Sequence, residues 1–321
     1  MNSEFDIIKK YFTFPDSRAD VLIAGGDDCA SVSVPASKQL LITTDTLIAG
    51  VHFPVETCPE DVAYKSVMVN LSDLAAMGAT PVWLTLAISL PQVDEVWLQK
   101  FSDSLAGILK RFNISLIGGD TTKGALSITV QAMGLSDKNR LMRRDQAQAG
   151  DKIYLTGDIG DAAIGLHVLL NKIDNAQLNS CVTKLNRPEA RVAFAEKLVR
   201  YSNCAIDISD GLVADLGHII SASSCGANIF LPQIPLSSTS RYYFEKYNNA
   251  VIDWTLLLTG GDDYELCFTV SEDKEQLINE LARQHKLKIS CIGEVTAGNE
   301  LVFLNADGKP VSFTNTGFKH F

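Results

Sequence analysis

The chain has none of the short signatures that usually announce a nucleotide enzyme. No Gly-x-x-x-x-Gly-Lys-Ser/Thr occurs, which excludes a P-loop. No Gly-x-Gly-x-x-Gly follows a strand-like run, and the His-Arg-Asp and Asp-Phe-Gly pair is missing. No Ser/His/Asp arrangement or reactive cysteine motif stands out, so covalent catalysis has no support. Long apolar runs are absent, so no segment is expected to span a bilayer. The start, Met1-Asn-Ser-Glu-Phe-Asp, lacks the basic and apolar regions of a secretory signal, and a cytoplasmic location without a membrane partner is expected. Positive charge is scarce: 28 Lys and Arg stand against 38 Asp and Glu, a formal net charge of −10. That sign argues against nucleic acid as a partner. The seven cysteines are dispersed, odd in number and free of Cys-x-x-Cys, which disfavours zinc and disulfides. Reduced thiols in or near the core are expected.

What the chain has is aspartate after small residues. Five strand-like apolar runs end this way: Val21–Asp28, Leu40–Asp45, Ile114–Thr121, Ala205–Gly211 and Leu256–Asp263. A single Gly-Asp pair is most cheaply a turn or cap. Five are harder to dismiss, because loops at strand ends converge and gathered carboxylates repel unless a cation lies between them. Hard, oxygen-loving Mg²⁺ suits such ligands and commonly arrives with a phosphate. Asp28, Thr43, Thr44, Asp45, Asp73, Asp120, Asp207 and Asp210 supply the oxygens. Glycines at 25, 26, 118 and 119 would let backbone amides approach phosphate.

The length of 321 residues and the 46% hydrophobic, 21% charged balance predict a globular α/β chain of two domains. The boundary is expected near 144–151, giving domains of 1–145 and 146–321. Strands are predicted at 82–90, 126–133, 152–156, 227–231, 256–258, 265–270, 288–292 and 301–304. Helices are predicted at 59–77, 94–112, 161–170, 188–201, 212–222 and 272–285. On the first of these, Asn70 and Asp73 are three apart and share a face. Gly-Gly-Asp recurs at 25–27, 118–120 and 260–262, a hint of related halves.

Two further residues have more than one reading, and a third has one. Arg144 is either a phosphate clamp or a solvated turn residue. His52 contacts substrate, is structural, or is simply exposed. Phe318, in Gly317-Phe-Lys-His-Phe321, is most simply a C-terminal anchor.

Read together, the segments Gly26-Asp-Asp-Cys-Ala30, Thr43-Thr-Asp-Thr46, Gly50-Val-His-Phe53, Val69–Ala79, Gly118-Gly-Asp-Thr121, Asp207-Ile-Ser-Asp-Gly-Leu212 and Gly260-Gly-Asp-Asp-Tyr-Glu-Leu266 resemble the bacterial thiamine-monophosphate kinases, members of the aminoimidazole-ribonucleotide synthetase-like superfamily. The resemblance covers nearly the whole chain. It implies a two-domain synthetase-like fold of mixed α/β and α+β character. In that fold an N-terminal sheet domain pairs in a homodimer and a C-terminal mixed α/β sandwich completes the cleft. It implies ATP-dependent phosphorylation of thiamine monophosphate to thiamine diphosphate with several Mg²⁺ ions, held by the eight oxygen-bearing residues above. Gly119, Asp120, Arg144 and Ser209 fall where the family contacts ATP. His52, Asp262 and Phe318 fall where it contacts thiamine phosphate. Asp45, Asp120, Arg144 and Asp210 would carry the transfer. The family usually has glutamate at the position of Asp262, one methylene longer.

Overall fold

Pro59 opens an 18-residue helix that is buried on almost every side. The computed structural model describes residues 4–15, 18–314 and 317–318; Met1–Ser3, from the secretory-signal reading, and Lys319–Phe321, from the anchor reading, lie outside them. The chain divides into two compact units, Met1–Leu74 with Ala79–Asn139 and Ala75–Gly78 with Arg140–Phe321.

In the first unit α1 (Glu4–Tyr11) precedes a small hairpin of β1 (Val21–Ile23) and β2 (Ser31–Val32), followed by β3 (Lys38–Ile48), α2 (Pro59–Ala76), β4 (Thr80–Leu90), α3 (Glu95–Phe112), β5 (Ser115–Lys123) and β6 (Ser127–Asp137). The main sheet has the order β3-β6-β4-β5, with only β4 and β5 parallel. α3 starts where the Asp94 carboxylate accepts from Val96 and Trp97 N–H and stops at Asn113 in the left-handed region, φ 53°. Its buried residues Leu98, Phe101, Leu105, Ile108 and Leu109 follow helical spacing. β3 alternates: Leu41, Thr43, Asp45 and Leu47 are partly or fully covered, whereas Leu40, Ile42, Thr44, Thr46 and Ile48 are exposed.

The second unit runs β7 (Lys152–Thr156), α4 (Asp161–Leu170), α5 (Asn179–Asn186), α6 (Val192–Leu198), β8 (Cys204–Asp207), α7 (Leu212–Ser223), β9 (Gly226–Phe230), α8 (Ser238–Tyr247), α9 (Trp254–Thr259), β10 (Leu266–Val270), α10 (Glu275–Gln284), β11 (Ile289–Thr296), β12 (Leu301–Leu304) and β13 (Pro310–Val311). Its sheet order is β13-β12-β9-β11-β7-β10-β8, antiparallel except between β12 and β9. The core lies between sheet and helices and includes Ile153, Leu155, Ile206, Leu216, Ile219 and Ile229. The mixed α/β class is thus borne out.

Three expectations about elements change. Leu256–Leu258 is not a strand: it lies in α9, because the Asp253 carboxylate caps the Leu256 N–H and commits the apolar run to a helix. β3 and β5 do not stop at their aspartates; Asp45 and Asp120 lie inside them. The helix expected over 188–201 shrinks to α6, while α5 and α8 were not foreseen. Four cysteines are buried, as expected of core thiols, but Cys29 and Cys58 are exposed. Among the described residues no helix is long and apolar enough to cross a membrane.

Candidate functional site

In the first unit the shared face of Asn70 and Asp73 meets β3. The Asn70 Oδ1 accepts the Asp45 backbone N–H at 3.1 Å, and the Thr43 hydroxyl donates to Asp73 Oδ2 at 2.5 Å. Asn70 is itself fixed by donating to the Ser66 carbonyl one turn earlier. Asp45 is pushed up to about 6, chiefly by burial and then by the charge of Asp73. A divalent cation would relieve both, and the donors here are all oxygen, so the arrangement fits Mg²⁺. Among the described residues no three His, Cys, Asp or Glu side chains gather into a metal-holding group. An open set completed by phosphate oxygens and water is the coordination Mg²⁺ commonly adopts.

Strand register places other candidates on the opposite face. Asp120 is level with Ala87, Ala87 with Thr129, and Thr129 with Thr46, so Asp120 shares its face with Thr46 and Thr44. Asp45 is level with Val130 and Leu86 on the face toward α2. The sheet therefore separates the Thr43–Asp45–Asp73 group from the Asp120 and Thr44 side chains. The Thr44 hydroxyl accepts from Gln131 Nε2 at 3.3 Å on that open face. Gly119, beside Asp120, has φ +156°, and a Cβ there would lie 1.9 Å from the Leu86 carbonyl oxygen, so no other residue fits without parting β4 from β5. Asp28 is exposed in the turn after β1, where its N–H bonds the Asp27 carboxylate. The His52 Nδ1 accepts the Ile48 N–H at 3.0 Å and helps hold the turn after β3.

In the second unit the candidates meet at the turn between β8 and α7. Asp207 is buried at the end of β8, level with Leu266. Ser209 and Asp210 follow in the turn and are half-buried. The Ser209 carbonyl accepts the Asp262 N–H at 2.8 Å, and the Asp210 carbonyl accepts the Phe318 N–H at 3.2 Å. Asp262 and Phe318 thus hang on the turn that carries Ser209 and Asp210. Asp262 takes a left-handed conformation, φ 63°, and accepts from the Tyr264 hydroxyl at 3.1 Å. Phe318 is 47% exposed. Arg144 is exposed; its carbonyl is held by the Ser223 hydroxyl at 2.8 Å, while the adjacent Arg143 pairs with Asp145.

Sequence reasoning missed the supports of this site. The buried Asp215 carboxylate accepts three successive N–H groups, from Ser209, Asp210 and Gly211. Burial, then the charge of Asp210, pushes it up to about 7 against the pull of those bonds. Asp263 accepts the Gly160 N–H on both oxygens. Glu265 receives Arg191 in a two-point pair and the Thr156 hydroxyl. The signal was available in Asp215, an acidic residue in the first turn of α7, where it can reach back to exposed N–H groups.

Residues 26–136 match the family model described as AIR synthase related protein, N-terminal domain, and residues 148–304 match the one for the C-terminal domain. The two units, with their sheets and the acidic turn after β8, therefore define a protein of the AIR synthase related class. The chain is 44% identical over 322 residues to thiamine-monophosphate kinase of Escherichia coli (strain K12), covering 99% of this chain and 98% of that protein. It is similar to the crystal structure of thiamine-monophosphate kinase from Stenotrophomonas maltophilia K279a, with TM-score 0.85 and 40% identity over 92% of this chain and 93% of that one. A structure described as AaThiL complexed with AMPPCP and TMP gives TM-score 0.80 and 31% identity over 99% and 96% of the two chains. The chain belongs to the thiamine-monophosphate kinase family.

Proposed function

We propose that this protein transfers the γ-phosphoryl group of ATP to thiamine monophosphate, giving thiamine diphosphate and ADP, in the cytoplasm and as a homodimer. The observation that carries the reading is the family membership across 99% of the chain, and every oxygen-bearing position of the motif set is filled. The similar structure described as AaThiL complexed with AMPPCP, an ATP analogue, and TMP supports the substrate pair.

The acceptor is a phosphate monoester whose second ionisation lies near ~6, so it is largely dianionic at neutral pH and needs no general base. The absence of a Ser/His/Asp or reactive-cysteine motif agrees with direct in-line transfer. What remains is to position two anionic groups and neutralise their charge. Mg²⁺, when bound, would supply that neutralisation. Several ions are called for: Asp45 and Asp73 with Thr43 would hold Mg²⁺ on the α2 face of the first unit, Asp120, Thr44 and Asp28 would serve the nucleotide's Mg²⁺ from elsewhere in that unit, and Asp207 and Asp210 would hold Mg²⁺ in the second. Gly119, Arg144 and Ser209 would meet the nucleotide, with the exposed Arg144 guanidinium free to form a planar fork on phosphate. His52, Asp262 and Phe318 would meet thiamine monophosphate, the aromatic ring stacking on the flat base. The exposed Leu40, Ile42 and Ile48 of β3 supply an apolar face for a second copy of the chain.

The test is a coupled assay of the purified protein with ATP, Mg²⁺ and either thiamine monophosphate or free thiamine, following ADP and thiamine diphosphate together. Matched products from the monophosphate, lost when Mg²⁺ is chelated, are expected. ADP without thiamine diphosphate would overturn the acceptor, and no ADP would overturn the kinase reading.

A further inference from the structure

The turn 209–211 is pinned from two sides. On the inner side, one oxygen of the buried Asp215 takes the N–H groups of Ser209, Asp210 and Gly211 at 3.0, 3.1 and 3.1 Å. On the outer side, the Ser209 and Asp210 carbonyls take the N–H groups of Asp262 and Phe318. Gly211 has φ +113° and lies so close to the Leu258 carbonyl that a Cβ would be 2.7 Å from it, so the turn has no room to relax inward. Three peptide N–H groups aimed at one point form an anion nest, and here the chain's own carboxylate fills it.

We propose that Asp215 is a positioning residue which, through this one turn, sets both the Asp210 carboxylate for Mg²⁺ and the backbones of Asp262 and Phe318 for thiamine monophosphate. This rests on the functional reading above. Asp215 acts through the turn, since one of its carboxylate oxygens accepts all three N–H groups. Its loss therefore weakens both ligand sets together. Loss of Asp262 or Phe318 alone weakens only one.

The experiment compares Asp215→Ala, Asp215→Asn and Ile219→Val, a core change on the same helix that leaves the turn alone. Hydrogen exchange over 208–214 is measured in each full-length protein, with the half-saturating Mg²⁺ for AMPPCP binding and the KM for thiamine monophosphate. In Asp215→Ala, exchange protection of the turn is expected to fall about ten-fold or more, with Mg²⁺ requirement and KM rising together. Asp215→Asn, which restores an acceptor, recovers part of all three. Ile219→Val moves none of them. Unchanged turn protection in Asp215→Ala, or a rise in only one ligand constant, overturns the proposal. Equal changes in Ile219→Val also overturn it, by showing a general stability effect. A wild-type protein inactive on thiamine monophosphate instead removes the kinase reading. The exchange and AMPPCP measurements then still decide whether Asp215 positions the turn.

Discussion

Replacing Arg191 with methionine removes one half of a buried ion pair while keeping most of the stem's bulk. Glu265 has only 2% of its side chain exposed and Arg191 17%. The guanidinium meets both carboxylate oxygens, Nε to Oε2 at 2.6 Å and Nη2 to Oε1. With methionine at 191, Glu265 keeps the Thr156 hydroxyl at 2.6 Å and Lys184 at 3.8 Å. Breaking a buried pair from one side costs ~3–5 kcal/mol, because the remaining charge is stranded. Lys184 can close part of the gap, so the lower end, about 3 kcal/mol, is expected. For a unit of this size that is a fall in melting temperature of roughly 6–12 °C. Thermal unfolding by circular dichroism measures it, alongside Arg191→Met combined with Glu265→Gln. The double variant should regain at least about half the loss, since no charge is then stranded. A single variant melting within about 2 °C of the parent, or a double variant no better than the single, would refute the reasoning.

Other consequences are equally open to measurement. Asp45→Asn and Asp120→Asn should each lower turnover by about 100-fold or more with little change in melting temperature; near-normal turnover in either removes that residue from the Mg²⁺ site. Gly119→Ala should destabilise the first unit by ~3 kcal/mol or more, since its Cβ meets the Leu86 carbonyl; an unchanged unfolding midpoint would contradict this. Tyr264→Phe should raise the KM for thiamine monophosphate by roughly 3–10-fold, because Asp262 loses a donor, and an unchanged KM would release Asp262 from that role. Asp263 is held well above its ordinary value of 3.8, mainly by burial. A raised carboxyl contributes stability below its unfolded value and loses it as pH climbs toward the folded one. Asp263→Asn should therefore gain stability relative to the parent as pH rises above 3.8, and parallel pH profiles of the two proteins would exclude that.

The helix α2 was legible because its start, its stop and the Asn70–Asp73 face are local facts, and the structure sets that face against Thr43 and Asp45. The run at 256–258 was not, since three leucines fit either period and only the Asp253 cap decides between them. The separation of Asp45 from Asp120 was hidden for another reason. Which face a strand residue takes depends on register across four strands, a non-local quantity. The same holds for Arg191 and Glu265, 74 positions apart in sequence, and for the nest that Asp215 fills, which exists only once the turn is closed.

The tripeptide Gly-Gly-Asp occurs as a bridged turn after β1, as the middle of β5, and as a left-handed loop after α9 in which Gly261 and Asp262 have φ of 70° and 63°. One three-letter word thus has three conformations in a single chain. Kinship between the halves cannot be read from it, and a graft from one location to another would carry the letters without the geometry. For ancestry, the order and pairing of whole strands is the quantity to compare; for engineering, each occurrence is a separate site with its own tolerances.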